Sequence, residues 1–170
     1  MATFATCTAF SSSYPFGPVS DQQFSGVVLL VEDEPLVRLV TAEILLEANF
    51  RVIEAGDASE ALRVLNAEVA VDVLLSDVEM PPGMNGYELA RHVHQHRPEV
   101  GILISSGREW PKESDLPPGA AFLPKPYPNA KLVSRVQAAA LKAQEARRLR
   151  HDLRDDQAAG SIPETVPKTA

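Results

Sequence analysis

The chain reads as an α/β domain on a doubly wound, five-stranded parallel sheet, and two observations predict it. Short apolar runs alternate along the sequence with segments of helical periodicity, the pattern of strands joined by right-handed helical crossovers. The clearest runs are apolar at successive positions, as strands covered on both faces are. Polar residues follow those runs, and in an open parallel sheet that edge is where ligands gather.

Taken in order, the first strand is Val27, Val28, Leu29, Leu30 and Val31, an unbroken apolar run followed by acids. Pro35 suits the first turn of the next helix, and Val37, Val40, Ile44 and Ala48 mark the stripe expected to face the sheet. Val52 to Ala55 is a weaker second strand. Asp57 with Glu60 resembles a capping box, opening a helix that carries Ala61, Leu62 and Leu65 inward. Val71 to Leu75, interrupted by Asp72, leads to Asp77 as the third strand. A helix from about Tyr87 to His96 turns Leu89, Ala90 and Val93 inward and stops at Pro98. Ile102 to Ile104 marks the fourth strand. Pro111, Pro117, Pro118 and Gly119 then crowd the chain, so the fourth helix is expected to be shortened. Ala120 to Leu123 is the fifth strand. After Asn129, a candidate cap, a helix carries Leu132, Val136 and Ala140 inward, and helix propensity runs on to about Asp155. Only its first half is expected to pack on the sheet. The division that follows is a loose Ser- and Pro-rich arm over 1–25, one domain over 26–141, and an extended helix with a disordered tail over 142–170.

At 170 residues there is room for one ordinary domain. A net charge of -7 argues against nucleic acid as the main partner, because phosphate backbones are held by clustered Lys and Arg. Cys7 is the single cysteine, which excludes an intrachain disulfide and a cysteine-based zinc site. Residues 1–25 hold no Lys or Arg and no long apolar run, and no stretch has the length of a membrane span, so a cytoplasmic protein without membrane attachment is expected.

The residues that carry chemistry stand at the ends of four strands. Glu32 and Asp33 end the first, Asp77 the third, Ser106 the fourth and Lys125 the fifth. Carboxylates brought together repel unless a cation compensates them, and oxygen-only ligands select a hard ion such as Mg²⁺. With that ion the set contains what phosphoryl transfer needs: a carboxylate nucleophile, Asp77, and fixed donors, Ser106 and Lys125, for the phosphoryl oxygens. His92 and His96 stand four apart on a helix but supply only two ligands, and they read as a solvated face, as does the basic run Arg147, Arg148, Arg150. Trp110 reads as a partly buried loop anchor.

Across roughly Val27 to Ala140 these residues resemble the receiver domain of two-component response regulators. Val31-Glu32-Asp33-Glu34 is similar to that family's acidic motif, and Asp77-Val78-Glu79-Met80-Pro81 with Gly86 to its phosphoacceptor loop. Ser106-Gly107 is similar to its hydroxyl and small-residue pair, and Lys125-Pro126 to its Lys-Pro pair. The resemblance implies the flavodoxin-like receiver fold, with strand order 2-1-3-4-5, and phosphorylation on Asp77. It implies Mg²⁺ held by Asp33, Asp77 and the Glu79 carbonyl, with Glu32 orienting a metal-bound water. It further implies a cis Lys125-Pro126 bond, a switch made of Ser106 and Phe122, and a histidine kinase or histidine phosphotransfer protein as donor. Such a chain catalyses its own phosphoryl transfer and slow dephosphorylation and is otherwise no enzyme.

Three departures qualify the resemblance. The loop Pro82-Gly83-Met84-Asn85-Gly86 is one residue longer than the commonest form. Glu79 carries an acid that in related domains points near the reacting centre, where it would either repel an incoming water or pair with Arg108, and Glu79 and Arg108 are expected to set the phosphoryl lifetime. The segment from Trp110 to Pro118 replaces much of a helix that many relatives use for output. After Asp156 too few residues remain for a DNA-binding module, so output is expected through protein contacts. The alternatives are a phosphorylation-independent interaction module and an aspartate-nucleophile phosphohydrolase. The second is disfavoured because the candidate nucleophile follows the third strand rather than the first.

Overall fold

The computed structural model describes residues 25–159 apart from 68, 109 and 113, with the backbone alone for 151–159. The expected arm and terminal tail, Cys7 included, lie outside the described residues. Nine elements follow one another: β1 (Val27–Val31), α1 (Pro35–Glu47), β2 (Arg51–Ala55), α2 (Ala58–Asn66), β3 (Val73–Asp77), α3 (Gly86–His96), β4 (Gly101–Ser106), β5 (Ala121–Pro124) and α4 (Asn129–Ala159). The strands form one parallel sheet of order β2-β1-β3-β4-β5, the order that the receiver resemblance implies.

Each face of the sheet buries its own core. Leu29, Val31, Leu74, Ile102 and Ile104 meet α2 and α3 on one side. Val28, Leu30, Val73, Leu75 and Leu103 meet α1 and α4 on the other. Helix starts follow local chemistry: Asp57 Oδ1 accepts the Glu60 amide at 2.8 Å while Glu60 Oε2 accepts the Gly56 amide at 2.8 Å. Asn85 and Glu88 form a full capping box at the start of α3, a pairing that sequence reasoning passed over.

Three expectations need correction. The face of α1 turned to the sheet is Thr41, Ala42 and Leu45, whereas Val37 and Val40 are exposed. Apolar residues surround this helix, so periodicity could not choose a face. Between β4 and β5 the described residues form turns and bends with no helix at all, and Leu116 packs into the core there. Asn129 is the first residue of α4 rather than its cap.

The continuation of α4 also departs from expectation. The helix runs on past 141, as expected, but its next turns remain seated on the amino-terminal rim of the sheet, where only its first half was expected to pack. Ala143 is buried, and Gln144 donates to the Ser25 carbonyl at 3.2 Å. Arg147 donates to the Val71 carbonyl and stands 2.9 Å from Asp72 Oδ1, close enough for an ion pair but not aligned for a hydrogen bond. Asp72, in the loop entering β3, is itself buried, and its Oδ2 accepts the Val27 amide at 2.7 Å. Arg150 reaches Glu99 at 3.1 Å. Arg147 and Arg150 therefore anchor the helix, while Arg148 is exposed. A buried carboxylate that loses its cation destabilises a fold. We expect Arg147→Ala to cost about 1–2 kcal/mol and Arg148→Ala under about 0.5 kcal/mol in urea unfolding.

Candidate functional site

The carboxyl rim of the sheet brings the chemistry together, and the strand registers show why. Val31 pairs with Ser76, Asp77 with Ser105, and Ser106 with Pro124, so the residues leaving β1, β3, β4 and β5 emerge side by side. One carboxylate oxygen each from Glu32, Asp33 and Asp77 lies within 4.8 Å of the others. Lys125 enters from the far strand: its Nζ stands 2.7 Å from Glu32 Oε2 and 3.2 Å from Asp77 Oδ1. The Lys125 amide donates to the Ser106 carbonyl at 2.8 Å, tying the lysine to the hydroxyl residue, and the Lys125-Pro126 bond is cis.

Backbone packing fixes the remaining loop. Gly86, at the start of α3, donates its amide to the Val78 carbonyl at 2.9 Å. A Cβ there would stand 2.0 Å from the Asp77 carbonyl oxygen, so only glycine allows the helix this close to the residue. The longer loop between them contains a second cis bond, Pro81-Pro82, which sequence reasoning missed.

Charge in the site is unevenly balanced. Burial pushes the Glu32 carboxyl above the usual glutamate value, Lys125 offsets part of that, and the charges of Asp77 and Asp33 add to it. Burial acts to lower the Lys125 amine, but the hydrogen bond to Glu32 and the charges of Asp77 and Glu32 outweigh it and hold the amine above the ordinary lysine value. The donor set fits a hard divalent cation: three carboxylates, one of them largely buried, with no nitrogen or sulfur ligand among them.

The other expected residues fall as follows. Ser106 is buried, and its Oγ accepts the Arg108 amide at 3.3 Å. Ser105 Oγ, one residue earlier, is buried without a hydrogen-bond partner. The Glu79 carboxylate stays outside the acidic cluster and pairs with Arg108 at 3.0 Å, both side chains being largely exposed. Phe122 is half-buried, with its ring centroid 5.6 Å from that of Trp110. Trp110 is exposed rather than partly buried.

A family model described as the response regulator receiver domain matches residues 28–137. The chain belongs to the response regulator receiver family. Its receiver region is 35% identical over 122 residues to the sensor kinase CckA of Brucella abortus, a match spanning 69% of this chain and 13% of that protein. It is 35% identical over 113 residues to the transcriptional regulatory protein CpxR of Klebsiella pneumoniae, spanning 65% of this chain and 47% of that one. The chain thus spans less than half the length of these relatives. Among solved structures, a receiver protein of Sinorhizobium medicae superposes with a TM-score of 0.65 at 25% identity, covering 69% of this chain and 96% of that one. The receiver domain of the hybrid histidine kinase CckA gives 0.58 at 34% identity, covering 68% and 99%. Among the described residues no helix is long and apolar enough to cross a membrane.

The Glu32 shift has a measurable consequence. A folded-state value raised above the unfolded one gives a contribution fully present below the ordinary glutamate range and lost as pH rises through the folded value. Without metal and near neutral pH, we expect Glu32→Gln to melt higher than the parent by roughly 3 °C, with the gain fading as pH falls below the carboxylate range. Thermal melts in EDTA from acid to neutral pH check this; a variant less stable throughout would show that the pairing with Lys125 outweighs burial.

Proposed function

We propose that this receiver accepts a phosphoryl group on Asp77 from a histidine kinase or histidine phosphotransfer protein, with Mg²⁺ held at Asp33, Asp77 and the Glu79 carbonyl. The observation that carries the reading is the single lysine shared by Glu32 and Asp77 beside Asp33. An Asp77 oxygen attacks phosphorus, and the bond to the donor nitrogen breaks with its electron pair leaving on that nitrogen. Lys125, paired with carboxylates before transfer, is positioned to follow the charge onto a phosphoryl oxygen, and Ser106 can donate its hydroxyl to another. Glu32, beside Asp33 and Asp77, would help orient the water that accompanies the ion. When bound, Mg²⁺ would supply positive charge against the phosphoryl oxygens. Phosphorylation adds about two negative charges, which favours an inward Ser106 and Phe122. The Glu79–Arg108 pair sets how long the acyl phosphate lasts. The chain is otherwise no enzyme and acts in the cytoplasm through protein contacts.

Incubation with acetyl phosphate and Mg²⁺ is expected to add the mass of one phosphoryl group to the wild-type chain and none to Asp77→Asn. No gain in the wild type leaves the phosphorylation-independent module as the better reading.

The corrected face of α1 supports the donor assignment. Leu36, Val37 and Val40, left outside the core, and the partly buried Ile44 form one wall of an open apolar groove of about 460 Å³ whose other wall carries Lys125 and Tyr127. Such a groove suits the apolar face of a donor helix that brings its phosphohistidine to Asp77. Val40→Asp is expected to slow transfer from a phosphohistidine protein at least tenfold and to leave acetyl phosphate labelling unchanged.

A further inference from the structure

We propose that Arg38 is a positioning residue for the metal site, acting on the backbone that presents Glu32 and Asp33; the proposal rests on the receiver reading above. Arg38 lies on the first turn of α1, and its side chain is about one-fifth exposed. Its Nη1 donates to the Glu32 carbonyl at 2.5 Å, and its Nε lies 3.4 Å from Glu54 Oε2 on β2. The Glu32 amide donates to the Ala55 carbonyl at 3.2 Å. Both backbone polar groups of Glu32 are therefore held, one by β2 and one by a cation that β2 itself anchors.

This arrangement answers a specific difficulty. Three carboxylates crowded at one rim push the loop after β1 outward, and a cation bound directly to them would compete with a metal ion. Arg38 binds a carbonyl instead, so the loop is restrained without bringing a second cation onto carboxylates that Lys125 already contacts. Its own charge is compensated from the far side by Glu54, on the edge strand of the sheet. Groups that orient metal ligands commonly affect affinity ten- to a hundredfold, and a charged donor on a carbonyl is among the stronger hydrogen bonds.

Manganese binding followed by electron paramagnetic resonance reads the site without relying on phosphorylation. We expect Arg38→Ala to weaken Mn²⁺ binding about tenfold, Arg38→Lys to recover at least half of that loss on a logarithmic scale, and Glu54→Gln to weaken binding about twofold. The half-saturating Mg²⁺ concentration for acetyl phosphate labelling should rise in parallel, while the rate at saturating Mg²⁺ stays within twofold of wild type. Melting temperatures in EDTA should stay within a few degrees. Arg38→Ala binding Mn²⁺ as the wild type does, a loss that lysine does not restore, or a saturating rate that falls with the affinity would each overturn the proposal. Should Arg38→Ala not fold, unchanged binding in both Arg38→Lys and Glu54→Gln would overturn it. If wild type itself neither binds Mn²⁺ nor gains phosphoryl mass, it is the receiver reading that fails.

Discussion

Carboxylate repulsion at the carboxyl rim is the constraint around which the rest of the molecule is arranged. Glu32, Asp33 and Asp77 are delivered by two neighbouring strands to within 4.8 Å of one another, and one lysine from a third strand is shared between two of them. Left to themselves, such groups take up a proton or move apart. The sheet prevents the second outcome, since parallel registers and the Glu32–Ala55 and Val78–Ser105 backbone bonds fix where each strand ends. Toward the first, burial and the neighbouring acids raise the Glu32 carboxyl above the ordinary glutamate value, and Lys125 offsets part of that. A site that is uncomfortable when it holds only protein groups gains most from an added cation.

The same packing explains why α1 is two-faced. Thr41, Ala42 and Leu45 are small or short enough to let the helix lie close to β1 and beside α4, where Leu132 and Val136 complete the core. Larger residues at Leu36, Val37 and Val40 are left outside, next to the lysine-bearing loop. An exposed apolar strip bordering a charged site is a costly surface to maintain in water, and it marks a face made to be covered.

The first and third strands were legible because a run of consecutive apolar residues ending in acids fits a strand covered on both faces, whereas the sheet order came with the family resemblance. The site was legible for a related reason: in a parallel sheet all strands point the same way, so residues ending successive strands must meet, whatever their separation in sequence. Glu32 and Lys125, far apart in the chain, needed only that argument. What stayed hidden depended on choices that periodicity does not make. The buried face of α1 was ambiguous because Leu36, Leu39, Val40 and Leu46 spread apolar character round the helix. Arg147 and Arg150 read as a solvated run because their partners, Asp72 and Glu99, lie in loops before strands, where an acid carries no pattern of its own. Arg38 read as one more helix charge, since its partner is a carbonyl and a carbonyl leaves no trace in sequence.

The two rims of the sheet handle charge in opposite ways. At the amino-terminal rim each acid has its own arginine: Asp72 meets Arg147, and Glu99 meets both Arg97 at 2.9 Å and Arg150 at 3.1 Å. These contacts hold Glu99 below the ordinary glutamate value despite its partial burial. At the carboxyl rim one lysine is shared by Glu32 and Asp77, and Asp33 stands beside them. The matched rim fastens the last helix to the sheet, whereas at the other rim the clustered carboxylates outnumber the lysine that contacts them. A cation would therefore find unbalanced negative charge at the carboxyl rim. Stability and reactivity are thus separated along the strand direction, and the parallel sheet, with all its carboxyl ends on one side, is what makes that separation available.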